Sequence, residues 1–262
     1  MLFKYSQYYK NILNTLHNEA RYSDLAHERF TCNIEDLSTK LKEIIKIENG
    51  SKVINGSLVI TGHHRSQKRQ VLPDLSDIYI KGNLFISPCG ISDLKGCPQH
   101  VDGAFRVIGN VLKDMQGGPV EVGDFYRVTE CDITSLKGVP KIIHTEFSCA
   151  LNDLSTLEYS PEVVYGNFNC CDNKLTSLEH APKYVKGNFM CGDNKFTKQQ
   201  FIDSINTIVD GCYTFSDHIP WDADFSNETI FDLTQNDIKH IVNLKNSKHT
   251  LHGDEQDDIS SW

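Results

Sequence analysis

The sequence has no long apolar segment and nothing at its start that resembles a signal for export. None of its apolar runs approaches the roughly 18 residues that a membrane-crossing helix needs. Its first residues, MLFKYSQYYKNIL, place Lys4, Lys10 and three tyrosines where a signal peptide would have an apolar core. These absences argue against a helical membrane protein and a secreted one, so we expect a cytoplasmic protein without a membrane partner.

The sequence also lacks the motifs of common metal and catalytic sites. Its nine cysteines include no C-x-x-C pair, the spacing typical of structural zinc sites. An odd number of cysteines in a chain without an export signal indicates reduced thiols rather than disulfides. Phosphate-binding glycine loops, His-Glu-x-x-His helices and serine elbows are missing as well. We therefore predict a protein that is not an enzyme and has no metal, cofactor or catalytic residue.

Positive charge is scarce toward the end of the chain. The net charge is −9, and residues 197–262 contribute −8, with four Lys or Arg against twelve Asp or Glu. Such an acidic segment disfavours broad binding to DNA, which requires a surface that neutralises phosphates. The one basic cluster consists of His63, His64, Arg65, Lys68 and Arg69. It fits a solvated loop, and it is also a candidate contact for an acidic partner or a nucleic acid.

What the sequence has in abundance is a repeat of 21 residues. The stretch 166–195 contains the pattern GNF-x-C-x-DNK twice, and the same register extends back to about residue 80. The clearest rows are proline (Pro98, Pro119, Pro140, Pro161, Pro182), aliphatic (Val101, Val122, Ile143, Val164, Val185), aromatic (Phe105, Tyr126, Phe147, Phe168, Phe189), valine or cysteine (Val107, Val128, Cys149, Cys170, Cys191) and asparagine or cysteine (Asn110, Cys131, Asn152, Asn173, Asn194). So many rows in one register predict a stack of similar coils.

Each row has a physical role in such a stack. Two apolar positions separated by one residue, such as Phe168 and Cys170, face the same side of a short strand, and strands of successive coils stack about 4.8 Å apart in a parallel sheet. Asn or Cys after the strand can donate hydrogen bonds to buried carbonyls of a neighbouring coil. We therefore interpret the repeat cysteines as interior packing groups. Cys171, on the opposite face from Cys170, is the one candidate for an exposed, reactive thiol.

The unit P-x-x-V-x-G-x-F-x-C-x-x-N-x-L-T-S-L resembles leucine-rich repeats of the short bacterial kind, about 20 residues long, and more closely those of tailed bacteriophages. The resemblance covers roughly residues 52–197. It implies an α/β repeat solenoid with leucine-rich-repeat-like stacked parallel strands. By analogy alone it also implies a phage-encoded counter-defence factor in the host cytoplasm, which binds a host protein and inhibits a defence enzyme or toxin.

The flanking segments are expected to cap the open ends of the solenoid. We predict a helical N-terminal cap at 1–50, the solenoid at 51–196 and a mixed C-terminal cap with an acidic tail at 197–262. Within the caps, helical patterns occupy 7–20 and 34–47. Two capping boxes, Thr197-Lys-Gln-Gln200 and the weaker Thr234-Gln-Asn-Asp237, predict helix starts in the C-terminal cap. The repeat pattern itself stops after Phe196.

Alternation along each strand places other residues on the open, concave face of the sheet. The predicted partner-binding residues on this face are Phe85, Arg106, Ile108, Phe125, Arg127, Glu146 and Asn169. Exposed aromatic and arginine side chains commonly anchor protein interfaces, so this face favours a protein-binding function. The alternative is that a flanking helix covers these side chains.

Two other functions stay open. A small enzyme with its site in residues 197–262 would use Cys212 with His218, a pair that has no third group to orient it. A nucleic-acid-binding module would combine residues 63–69 with Arg106 and Arg127, and its affinity would fall as salt is added.

Overall fold

The computed structural model of the protein describes residues 28–62, 69–214, 229–230 and 233–250. The chain forms a solenoid of stacked parallel strands, as the repeat predicts. With strands numbered in chain order, the main sheet consists of β1 (Glu28–Asn33), β4 (Gly56–Thr61), β6 (Leu84–Ile86), β8 (Phe105–Ile108), β10 (Tyr126–Thr129), β12 (Phe147–Ser148), β14 (Phe168–Asn169), β16 (Phe189–Met190) and β18 (Tyr213–Thr214).

A second layer of short strands precedes the main sheet in each coil. One group is β2 (Ile45–Glu48), β3 (Ser51–Ile54), β5 (Ile78–Ile80), β7 (His100–Val101) and β9 (Glu121–Val122). The other is β11 (Ile142–Ile143), β13 (Val163–Val164), β15 (Tyr184–Val185) and β17 (Ile208–Val209). The layer is parallel except for the hairpin of β2 and β3, where Asn49 and Gly50 both have positive φ. The second layer is therefore split between β9 and β11.

Three helices and a small hairpin complete the described structure. The helices are α1 (Leu37–Ile44), α2 (Lys198–Ser204) and α3 (Gln235–Thr250), and the hairpin joins β19 (Thr229–Ile230) to β20 (Leu233–Thr234). Helix α1 buries Leu37, Leu41 and Ile44 against the interior of the first coils. Between β6 and β16 the return limb of each coil contains no helix, so successive coils there differ only in side chains.

The aromatic row confirms the predicted register. Tyr126 pairs with Phe105 on one side and Phe147 on the other, and the pairing continues through Phe168 and Phe189. All five side chains are fully buried, and neighbouring rings lie 4.9–5.9 Å apart between centroids. These are normal distances for contacting aromatic pairs, each of which adds roughly 0.5–1.5 kcal/mol beyond the burial of its surface.

The asparagine row also has the predicted role. The Nδ2 group of Asn152 donates to the carbonyls of Val128, Cys149 and Ala150 at 2.9–3.0 Å, and its Oδ1 accepts the Cys131 N–H at 3.0 Å. Equivalent sets of bonds surround Asn110, Asn173 and Asn194. Each of these side chains therefore satisfies backbone groups of its own coil and of the preceding coil.

The N-terminal end departs from the prediction. The helix expected at 34–47 spans only 37–44, because Ile45–Glu48 forms β2 and pairs with β3. Strand β1, which the sequence pattern does not reveal, pairs in parallel with β4. Of the residues of β1 only Cys32 is buried, so the strand has too little apolar alternation to be recognised. The helix predicted at 7–20 lies outside the described residues.

The C-terminal end contains one more coil than the repeat predicts. The expectation that the pattern stops after Phe196 is wrong for the main sheet, since Tyr213 pairs with Phe189 and Thr214 with Met190. Helix α2 lengthens this coil, so that Tyr213 follows Phe189 by 24 residues instead of 21. That shift hides the last strand from a search at fixed period. The acidic tail at 251–262 lies outside the described residues.

Both predicted capping boxes are confirmed. The Thr197 hydroxyl accepts the Gln200 N–H at 3.3 Å, and the Gln200 side chain accepts the Thr197 N–H at 2.8 Å. Thr234 and Asp237 make the same reciprocal pair at 3.2 and 2.8 Å. Each box satisfies N–H groups at a helix start that have no partner within the helix.

Helix α3 closes the last coil. The buried side chain of Gln235 accepts the Tyr213 N–H at 3.0 Å and donates to the Tyr213 carbonyl at 2.6 Å, as the backbone of a further strand would. Lys245 fastens the same helix by donating to three carbonyls at the end of α2, those of Ile202, Asp203 and Ile205. The edge of β18 is thereby covered by side chains of α3.

Candidate functional site

The predicted partner-binding residues come together on the concave face of the main sheet. Their positions are Phe85 on β6, Arg106 and Ile108 on β8, Phe125 and Arg127 at β10, Glu146 just before β12, and Asn169 on β14. Phe85 pairs across strands with Arg106, and Arg106 pairs with Arg127. The repeat register therefore places side chains from consecutive coils side by side.

Four of these side chains form an anchor cluster, which we define as Phe85, Phe125, Arg127 and Glu146. The Phe125 ring stacks on Phe85 at a centroid distance of 6.3 Å and an interplanar angle of 10°. The Arg127 guanidinium lies 4.3 Å above the Phe125 ring, and its Nε donates to Glu146 Oε1 at 2.7 Å. The Arg127 and Glu146 side chains are only 15% and 14% exposed, so solvent screens this ion pair less than one at the surface.

The expectation that the whole concave face is exposed is wrong. Phe85, Arg106 and Ile108 are only 5%, 8% and 4% exposed. Phe85 belongs to a small apolar cluster with Val59 and Ala104, separate from the solenoid interior. Alternation along a strand determines the face on which a side chain lies, but it does not determine what covers that face.

Half-buried side chains on the concave face are therefore the accessible ones. Phe125, Arg127, Glu146 and Asn169 are of this kind. Phe125 packs against the apolar cluster around Phe85 and remains partly accessible itself. The part of the predicted surface available to a partner is thus smaller, and centred on β10 and β12.

The prediction that Cys171 is exposed is also wrong. This residue is fully buried, and its Sγ accepts the Gly192 N–H at 3.2 Å. Burial raises the pKa of the Cys89 thiol to about 11 and that of Cys131 to about 12, and raises those of Cys170 and Cys191 well above the usual range. Thiols in such surroundings stay protonated at neutral pH and are poor nucleophiles.

Cys212 is the cysteine expected to react with thiol reagents. All nine cysteines lie within the described residues, none is in a disulfide, and only Cys212 is half-buried. Treatment of the native protein at pH 7.5 with a maleimide should therefore modify one thiol much faster than the other eight, as counted by mass spectrometry. Replacing Cys212 with serine should remove the fast phase. Fast labelling of Cys171 would contradict this assignment.

The candidate enzyme and nucleic-acid sites fall largely outside the described structure. The Cys212 N–H donates to Asn188 Oδ1 at 3.0 Å, whereas His218 lies outside the described residues. In the basic cluster Arg69 is described, with its Nε donating to Ser92, and His63, His64, Arg65 and Lys68 are not. Within the described ranges, no group of three or more His, Cys, Asp or Glu side chains could hold a metal ion.

The sequence analysis missed a second surface, on the outer face of the second layer. The Tyr79 and His100 rings stack at 6.0 Å, the Tyr79 hydroxyl donates to Asp102, and His100 Nδ1 lies 2.8 Å from Glu121 Oε2. Farther along, His144 stacks on Tyr165 at 6.3 Å. The available signal was their position, since these side chains flank the aliphatic row exactly as the concave residues flank the aromatic row.

The comparisons with known proteins leave the family open. No protein-family model matches the sequence, and no curated protein or solved structure matches the chain. Among the described helices, none combines the length and the apolar character that crossing a bilayer requires.

Proposed function

We propose that the chain is a leucine-rich-repeat-type solenoid that binds another protein through the concave face of its main sheet. The observation that carries this proposal is the anchor cluster, which holds an aromatic ring, a guanidinium and a carboxylate in one fixed arrangement. Aromatic and arginine side chains contribute most often to the energetic centre of protein interfaces. Because the Arg127–Glu146 contact already orders these side chains in the free protein, binding would cost less conformational entropy.

The size of the sheet supports the same function. Nine strands separated by about 4.8 Å extend over about 38 Å. A standard protein interface buries about 800 Å² on each partner, which a surface of this length can supply. The identification as a leucine-rich repeat rests on the 21-residue unit and its asparagine row. The further proposal of a phage-encoded factor that binds and inhibits a host defence protein in the host cytoplasm rests on the wording of the repeat alone.

The test is a variant that removes the anchor cluster without leaving a buried charge. Phe125→Ala, Arg127→Ala and Glu146→Gln in one chain should weaken binding at least 100-fold, because the aromatic contact and the charged group are lost together. The partner would be captured from host cells, identified by mass spectrometry and purified, and its affinity measured by calorimetry. Thermal unfolding would show that the variant remains folded.

A matched control separates this effect from a general loss of surface. Val111→Ala with Lys113→Ala also removes an exposed apolar side chain and a cation two residues apart, but on the loop that follows β8. We expect this variant to bind the partner like the unmodified protein. Unchanged affinity of the anchor-cluster variant would instead place the interface on a cap or a loop.

A further inference from the structure

The split between β9 and β11 opens a cleft in the second layer. The main sheet is continuous at this point, because Tyr126 and Phe147 remain paired. In the second layer the strands of the same two coils belong to separate sheets. The Gly123 N–H donates to the Val101 carbonyl before the split, and the equivalent bond after it runs from Tyr165 to Ile143. A cavity of about 280 Å³ lies between the two groups of strands.

The cleft is acidic and aromatic. We define the acidic–aromatic cleft by Tyr79, His100, Asp102, Glu121 and His144, which contribute two carboxylates and three rings. Within the described residues that line it, no lysine or arginine balances the two carboxylates. Asp102 and Glu121 are both exposed, and each engages one neighbour, the Tyr79 hydroxyl and the His100 ring. An ionised carboxylate has about four acceptor positions, so both keep acceptor capacity for a ligand.

This combination complements a cation with a flat shape. Carboxylates make their strongest hydrogen bonds with charged donors, and a guanidinium can donate to two acceptors at once. Ring faces attract cations within about 6 Å, and the nearly parallel Tyr79 and His100 rings form a stacked pair beside the carboxylates. The cavity is just below the usual range of about 300–1,000 Å³ for small-molecule sites, so its size suits one side chain.

We propose that the acidic–aromatic cleft binds a guanidinium group, namely an arginine side chain of a peptide or protein. A neutral sugar would also use carboxylates and rings, but it would not need two carboxylates without a balancing cation. The cleft lies on the outer face of the second layer, whereas the anchor cluster lies on the main sheet. The proposal therefore does not rest on the concave face being an interface.

The experiment uses the full chain and N-acetyl-arginine amide as the probe, followed by NMR at pH 8, where the histidines are largely neutral. Saturable shifts are expected for the amides of residues 121–123 and 142–144. N-acetyl-citrulline amide, the uncharged isostere, should bind at least 10-fold more weakly. Asp102→Asn with Glu121→Gln should lower arginine affinity at least 10-fold, whereas Glu158→Gln with Glu179→Gln removes the same charge elsewhere and should leave affinity unchanged.

Several results would overturn the proposal. These are the absence of saturable shifts, equal binding of arginine and citrulline probes, undiminished binding by the Asp102→Asn, Glu121→Gln protein, or saturable binding of methyl glucoside in place of the arginine probe. The anchor-cluster variant should bind the probe normally. Failure at the cleft and failure at the concave face can therefore be distinguished.

Discussion

Replacing Asn152 with alanine is expected to lower the free energy of unfolding by about 3–5 kcal/mol. The buried side chain donates to three backbone carbonyls and accepts at least one N–H, and alanine can replace none of these bonds. A buried polar group left without a partner costs about 1–3 kcal/mol, and several would be left here. Urea denaturation followed by circular dichroism measures the loss.

Cysteine at the same position is the informative control. Cys131 occupies the asparagine row one coil earlier, and its thiol donates to the Thr129 carbonyl at 3.2 Å. Asn152→Cys should therefore be less destabilising than Asn152→Ala, because one donor is retained. If the alanine variant unfolded within 1 kcal/mol of the unmodified protein, the asparagine row would not be holding the coils together.

Replacing Gln235 with leucine is expected to expose the end of the solenoid and to lower the free energy of unfolding by about 2–4 kcal/mol. Leucine has a similar volume but makes no hydrogen bonds, so the buried N–H and carbonyl of Tyr213 would both lose their partner. Amide hydrogen exchange should accelerate first at Tyr213, before Phe147 in the middle of the main sheet.

The control for this variant is the same substitution at an exposed position. Gln199 lies on the surface of α2, where its side chain contacts Asp203, and Gln199→Leu should change stability by less than about 0.5 kcal/mol. Equal effects of the two substitutions, or uniform acceleration of exchange along the sheet, would show that Gln235 does not act as a local cap.

The interior of the solenoid could be predicted because every coil gives a row the same environment. Phe168 and Phe189 stand in equivalent positions between similar neighbours, so a fixed period identifies both. Strands β1 and β18 could not be found in this way, because additional residues change the spacing of their coils. Phe30 precedes its partner Leu58 by 28 residues, and Tyr213 follows Phe189 by 24.

The candidate sites were less predictable than the interior. The sequence correctly places Arg127 and Glu146 on one face, but their 2.7 Å contact depends on side-chain conformation. The burial of Arg106 depends on what lies over the face, which a repeat pattern does not contain. The acidic–aromatic cleft depends on a break between β9 and β11, although the residues of the two strands keep the 21-residue spacing.

The coil has a constant part and a variable part, and this division bears on how such a chain can grow. From the aliphatic row to the asparagine row, a span that the hydrogen bonds of Asn152 tie to the preceding coil, the spacing stays constant. The added residues of the two long coils, including α2, lie instead in the return limb. Duplication of a whole coil would therefore preserve every interior contact, whereas new sequence of other lengths can be inserted only where the chain turns back.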